Sequence, residues 1–303
     1  MKERREKICS IEDAISHIKD GDTIGLSGLI LFHEPMALIR ALIKRGVKDL
    51  TIVTLGSSMG ADLLIGAGCV KRVVSTYLGF QHFAPISPNF RSKIEKGEGL
   101  EFWDYDFQHW HCALKAGGWN MPYLLTKAGL LTDLPKINPS LKEVEVDGEK
   151  WIAVPPITLD ASLLYASKSD PYGNVIYNAT VFSERILARA TKGPIIVSVE
   201  EIVPNDMVRA EPRLVILCGG IIADYVVEVP YGAHPEEGQG YYMLDSDHIK
   251  EYIAAAQATR KGEDPDAFKR YLDKYVYTPE SNEEYLERIG GIKKLLKLKQ
   301  PIY

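Results

Sequence analysis

The chain has 303 residues, of which 46% are hydrophobic and 25% charged, the balance of a globular protein long enough for one large α/β domain or two smaller ones. Its formal net charge is -5, with acids and bases interspersed, so no basic stripe marks it for nucleic acid. No apolar run is long enough to span a bilayer.

The charged opening MKERREK leads into a capped helix, unlike a signal peptide. Ser10 is the expected cap, with Ile11, Ala14, Ile15 and Ile18 on one face and Gly21 as the stop. A buried strand over 22–27 then runs into the glycine loop at Gly25 and Gly28. Pro35 opens a helix ended by Gly46. A second strand over 50–55 is followed by Gly56, Ser57 and Ser58, a short helix over 61–67, and a third strand over 72–77. A fourth strand begins at Leu100, and Asp106 or a neighbour starts a helix over 107–116. Asp147-Gly148 between two strand-like runs predicts a hairpin. Further strands are expected over 161–166, 175–177, 194–199 and 213–217, with charged helices from Ser246 to the end.

Strands apolar on both faces and alternating with helices predict an α/β fold, with an open, mostly parallel sheet covered by helices on both faces. The expected organisation is a single domain over 1–303, with a turn-rich small lobe near 132–156. Ligands of such sheets bind outside the carboxyl ends of the strands. Here those ends are Ser27 and Gly28, then Gly56 and Ser57, then Gln81 and His82. Ser27, Gly56 and Gln81 are therefore expected near one another.

Other chemistry is thin. The loop at Gly25 and Gly28 lacks dinucleotide spacing, and neither a Walker sequence nor a Gly-x-Ser-x-Gly elbow occurs. Two glycines after a strand read equally as tight backbone packing. In the run DYDFQHWHC from Asp104 to Cys112, His109 and His111 are two apart and fall on different helix faces. A metal is not expected there. Cys9, Cys69, Cys112 and Cys218 form no Cys-x-x-Cys pair and read as buried or half-buried thiols in a reducing cytoplasm. Glu34, just before Pro35, reads as an acid at the N-terminus of its own helix.

In combination the landmarks say more. GDTIGLSGL over 21–29 with Glu34-Pro35, the strand DLTIVT over 49–54, Met121-Pro122 with GLLTD over 129–133, DPYGN over 170–174 and PYGAHP over 230–235 resemble, in order, the landmarks of family I CoA-transferase alpha-type subunits, the glutaconate branch above all. The resemblance covers residues 8–300. In that family a glutamate attacks the acyl-CoA thioester and forms an anhydride and then a glutamyl-CoA thioester, with loop N–H groups stabilising the oxyanions. Thr54 stands where the nucleophilic glutamate would be. The resemblance therefore implies a non-nucleophilic chain, completed by a homologous beta-type subunit in a heterodimer or heterotetramer. It implies substrate-binding roles for Ser27, Gly28, Gly56, Ser57, Gln81 and His82, and catalytic support from Asp104 and Asp106. Coenzyme A enters as part of the substrate, and no permanent cofactor or metal is implied.

The expected reaction moves CoA between a small acyl-CoA, dicarboxylic ones included, and a free carboxylic acid. Relatives of this chain also include a steroid-ring CoA hydrolase, with acidic residues matching 104–107, and a decarboxylase. Here Phe107 replaces one of those acids, and Gln81 replaces the small hydroxyl residue of the glutaconate branch. A hydrolase or decarboxylase on the same scaffold is the second expectation. A non-catalytic acyl-CoA or organic-acid binding protein, motivated by Thr54, is the third.

Overall fold

The computed structural model describes residues 5–299. Residues 1–4 of the charged opening, and residues 300–303 of the helical end, lie outside the described residues. The strands are β1 (Thr23–Leu26), β2 (Leu50–Thr54), β3 (Val70–Ser75), β4 (Glu101–Asp104), β5 (Leu124–Thr126), β6 (Lys142–Val146), β7 (Glu149–Val154), β8 (Ala161–Ser169), β9 (Val175–Ile176), β10 (Ile195–Ile202), β11 (Val215–Leu217) and β12 (Tyr225–Glu228). The helices are α1 (Ile11–Ile15), α2 (Met36–Arg45), α3 (Met59–Gly66), α4 (Pro88–Lys96), α5 (Phe107–Gly118), α6 (Leu134–Ile137), α7 (Glu184–Ala190), α8 (Asn205–Ala210), α9 (Ser246–Lys261), α10 (Ala267–Leu272), α11 (Asn282–Arg288) and α12 (Gly291–Leu298).

Strands β12, β10, β8, β1, β2, β3 and β4 lie side by side in that order, every neighbouring pair parallel. Strands β9 and β11 extend the sheet antiparallel beyond the end of β8. A separate antiparallel sheet has the order β5-β7-β6. Its β6–β7 hairpin turns on Asp147 and Gly148, at φ 52 and 77, the paired positive values of a type I′ turn.

Side-chain alternation along each strand divides the core. Ile24, Leu26 and Ile52 pack under α1, α2, α3, α9 and α10, while Val53, Val74, Leu164 and Val197 pack under α5 and α7. Helix ends follow local chemistry. Ser10 accepts from the Asp13 N–H at 3.0 Å, Asp106 accepts from the His109 N–H at 2.7 Å, and Gly46 ends α2 at φ 78. The first helix is shorter than expected: α1 stops at Ile15, and turns carry the chain past Ile18 to Gly21. Cys218 also departs from expectation, being exposed, because it lies on the short outer strand connection beyond β11. No helix among the described residues is long and apolar enough to cross a membrane.

The packing reading of the first glycine loop has a physical basis. A Cβ on Gly25 would stand 2.7 Å from Leu159 and 2.9 Å from Leu187 of α7, so the bare backbone lets that helix approach the sheet. Gly28 has φ +94, and a Cβ there would meet the Phe32 carbonyl oxygen at 2.5 Å. Gly28→Ala should therefore cost about 1–3 kcal/mol. The check is a lower urea midpoint at unchanged slope; a wild-type midpoint would mean that the loop does not need this conformation.

Candidate functional site

Backbone pairing continues past the ends of the strands. The Ser27 N–H donates to the Leu163 carbonyl at 3.1 Å, Ile30 to Gly56 at 2.9 Å, Ser57 to Tyr77 at 3.0 Å and Gly79 to Ser57 at 3.1 Å. Ser27, Gly28, Gly56 and Ser57 are thereby brought to one edge, and all are buried inside the chain. Gln81 and His82 follow Gly79 on the same edge but are exposed. They occupy a turn closed by the Phe80 N–H on the Ala84 carbonyl at 2.7 Å, with Gln81 at φ 52. Thr54 is 0% exposed, and its hydroxyl has no hydrogen-bond partner among the described residues.

The buried edge is filled by the chain's own carboxyl groups. Glu34 Oε2 accepts the Gly60 N–H at 2.7 Å, at the start of α3. This corrects the expected role of Glu34: it caps no turn of α2, but reaches the N-terminus of the next helix. The Glu34 N–H in turn donates to Glu236 Oε2 at 3.2 Å. Ser58 Oγ lies 2.6 Å from the Ile30 carbonyl oxygen and 2.7 Å from Glu236 Oε1. Glu184, at the start of α7, accepts the Phe182 and Ser183 N–H groups at 2.9 and 3.1 Å, with the Gly28 N–H facing the same carboxyl. Burial raises the pKa of Glu34, Glu184 and Glu236, the last also through its neighbour Glu34.

Beside them, on β10, Glu200 accepts from the Tyr165 hydroxyl at 2.9 Å, the Tyr242 hydroxyl at 3.0 Å, the Tyr231 N–H at 2.7 Å and the Gly232 N–H at 3.1 Å. Its carboxyl is pushed up to about 7, because burial outweighs these donors. His33 stacks on Tyr165 with ring centroids 5.7 Å apart, and burial pushes its imidazole down to about 3, so it is neutral at ordinary pH. Its Nε2 accepts the Gln239 N–H at 3.0 Å.

Asp104 ends β4 and Asp106 precedes α5. Asp104 is partly exposed, and its pKa is raised by partial burial and then by Asp106. Asp106 caps α5 and places Oδ2 3.2 Å from His109 Nδ1, while His109 Nε2 lies 2.9 Å from the Ala128 carbonyl. Asp104, Asp106, Gln81 and His82 are thus the members of the expected set that reach the surface, whereas Ser27, Gly28, Gly56 and Ser57 face inward. The sequence reading missed Glu184, Glu200 and Glu236 altogether. A usable signal exists for Glu200 alone, which with Glu201 directly follows the apolar run over 194–199.

Residues 8–229 match the family model described as coenzyme A transferase. An uncharacterized protein of Archaeoglobus fulgidus is 32% identical over 301 residues, which cover 99% of this chain and 66% of that protein. The A subunit of glutaconate CoA-transferase from Acidaminococcus fermentans is 30% identical over 315 residues, covering 97% of this chain and 94% of that one. The cholesterol ring-cleaving hydrolase IpdA subunit of Rhodococcus jostii is 30% identical over 291 residues, covering 91% and 94%. Among solved structures, glutaconate coenzyme A-transferase from Acidaminococcus fermentans superposes with a TM-score of 0.89 at 26% identity, covering 97% of this chain and 96% of that one.

The Glu200 environment sets a pH dependence. A carboxyl whose folded pKa is raised adds stability that is complete below its unfolded value of 4.5 and is lost as pH rises through about 7. Glu200→Gln removes that titration. Across this window the unfolding free energy of the wild type should fall relative to the variant by a few kcal/mol, at about 1.4 kcal/mol per pKa unit. Urea melts of both proteins at either end of the window check this; parallel pH curves would refute it.

Proposed function

Because the chain belongs to the coenzyme A transferase family, we propose that it is the alpha-type, non-nucleophilic half of a two-subunit CoA-transferase, acting on a small acyl-CoA, dicarboxylic ones included. Two of the relatives described above are named as subunits. The observation that carries the proposal is the buried edge. Thr54 is sealed from solvent, and the neighbouring loop N–H groups of Glu34 and Gly60 are bound to the chain's own carboxyl groups. Donors so engaged are unsuited to receive a substrate oxyanion, which asks for N–H groups aimed at the reacting oxygen. A threonine hydroxyl is also no substitute for a carboxylate that must form an anhydride.

The nucleophile then comes from a homologous beta-type subunit. Its glutamate attacks the thioester carbonyl and releases the CoA thiolate, leaving an acyl-glutamyl anhydride. The thiolate attacks the glutamyl carbonyl and releases the first acid. The acceptor carboxylate and the glutamyl-CoA thioester complete the exchange by the same steps in reverse. Coenzyme A is part of the substrate throughout, and no permanent cofactor is required. This chain supplies the exposed margin of the site, from Gln81, His82, Asp104 and Asp106. An interface on this side of the sheet is supported by large apolar side chains left exposed along the segment after β4. Phe107 is 55%, Trp119 57% and Ile137 64% exposed, side chains that a second subunit would cover. A heterodimer or heterotetramer is the proposed assembly.

The decisive experiment compares this chain alone with the chain co-purified with a partner carrying Glu-Ser-Gly after its second strand. A panel of acyl-CoAs is offered with and without a free acid. Activity only in the pair, and only with the acceptor, is expected. An active lone chain would refute the assignment, and a chain that binds acyl-CoA without any partner would favour a binding protein.

A hydrolase on the same scaffold is the second reading, favoured by the raised pKa of Asp104 beside Asp106 and by the likeness to a ring-cleaving hydrolase subunit. It predicts turnover without acceptor. In either case Asp104→Asn or Asp106→Asn should lower turnover of the pair by ~10²-fold or more, the scale of a positioned acid–base group. Asparagine also caps helices well, so α5 and partner binding should survive. Unchanged rates would leave both aspartates structural.

A further inference from the structure

Proton counting at the buried edge leads to an assignment for Glu236. Ser58 has a single hydroxyl proton, yet its Oγ lies 2.6 Å from the Ile30 carbonyl oxygen and 2.7 Å from Glu236 Oε1. The carbonyl can only accept. If Glu236 were ionised, two acceptors would compete for one proton, and one close contact would join two buried oxygens with no hydrogen between them. A proton on Glu236 Oε1 resolves the arrangement: the acid O–H donates to Ser58 Oγ, and Ser58 donates to Ile30. Glu236 Oε2 remains an acceptor for the Glu34 N–H at 3.2 Å.

We propose that Glu236 is a positioning residue held as a neutral carboxylic acid, whose O–H to Ser58 and whose carbonyl oxygen to the Glu34 N–H lock residues 56–60 against residues 29–34. The role deepens the reading of a two-subunit CoA-transferase and rests on it for its catalytic consequence, because the locked loop follows the position of the missing nucleophile. The proton assignment itself concerns this chain alone.

The surroundings agree. Glu236 is 0% exposed, and among the described residues neither it nor Glu34 makes an ion pair. Glu34 is the fitting site for the negative charge, since its Oε2 accepts the Gly60 N–H at the start of α3, where the helix dipole favours an anion. The other titratable groups on the packed segments are engaged elsewhere. His33 is neutral and bonded to Gln239. Asp62 of α3 is held by Asn89 and Tyr252. His234 lies against Asp245 at 3.2 Å, and Arg40 of α2 donates to the His234 carbonyl at 3.0 Å. The backbone of Glu237 pairs with His33 and Leu31. Among the described residues no cation is placed where it would draw the proton off Glu236, and a second charge beside Glu34 would be repelled.

Three measurements test the assignment. In the isolated chain at neutral pH, the infrared difference between wild type and Glu236→Gln should contain the carbonyl band of a protonated carboxylic acid. Loss of a carboxylate band instead would overturn the proposal. Urea melts against pH give a reading that does not depend on the glutamine variant. The stability that Glu236 confers is present while it is protonated and is lost as pH rises through its folded pKa. Ser58→Ala removes the acceptor of the acid proton, so it should move that alkaline loss to lower pH. A move to higher pH would mean that Ser58 donates to a carboxylate, and would equally refute the idea. Finally, the wild-type pair should lose activity reversibly at alkaline pH, and Glu236→Gln should retain about tenfold more of its own neutral-pH activity there. An identical alkaline limb in both overturns the positioning role. An inactive wild-type pair would count against the transferase reading, while the infrared and denaturation results would still decide the proton.

Discussion

Loops that leave the carboxyl edge of the sheet carry backbone N–H groups into a region without solvent, and such groups must be paired. In this chain the partners are carboxyl groups brought from distant segments. Glu34 answers Gly60, Glu236 answers Glu34, Glu184 answers Phe182 and Ser183, and Glu200 answers Tyr231 and Gly232. Burying four carboxyl groups is tolerable only because each has donors to meet and a raised pKa that favours the neutral form, the charge proposed for Glu34 resting at the start of α3. The loops, the pairing of the segments and the closed interior of the edge follow together from that requirement.

The same arrangement separates a buried interior from an exposed margin. The interior of the edge maintains structure, with Thr54 enclosed, Tyr165 and Tyr242 bonded to Glu200, and His33 stacked on Tyr165. The exterior keeps Gln81, His82, Asp104 and Asp106 within reach of other molecules. The superposition on glutaconate coenzyme A-transferase over nearly the whole chain shows that this framework is shared with that structure.

Much of the framework was legible in the residues because its signals are local. Strands apolar on both faces mark β1 to β4, Asp147-Gly148 marks the β6–β7 turn, and Asp106 marks the start of α5. The charged helices after Ser246 follow their apolar periodicity. The interior of the site was not legible, because its contacts are long-range. Glu34 and Glu236 are 202 positions apart, and nothing near either announces the other. The expected strand over 194–199 stops short of Glu200 and Glu201, yet β10 continues through both, and strand alternation points Glu200 inward to two tyrosines while Glu201 bonds Lys168 at 3.0 Å. Glu34 misled for a related reason: proximity in sequence suggested α2, whereas the fold brings the N-terminus of α3 closer.

The stitching of the loops beyond the strands also bears on how such a protein changes over generations. Parallel bridges between Ile30 and Ser57 and between Ser57 and Leu78 make neighbouring loops one stiff ledge. The exposed turn at Gln81 and His82 projects from that ledge without contributing side chains to the core. Exposed side chains there can change with little effect on the packing beneath, so the turn can vary among descendants while the ledge stays constant. A scaffold with that division of constraint can diversify its surface with few coordinated mutations.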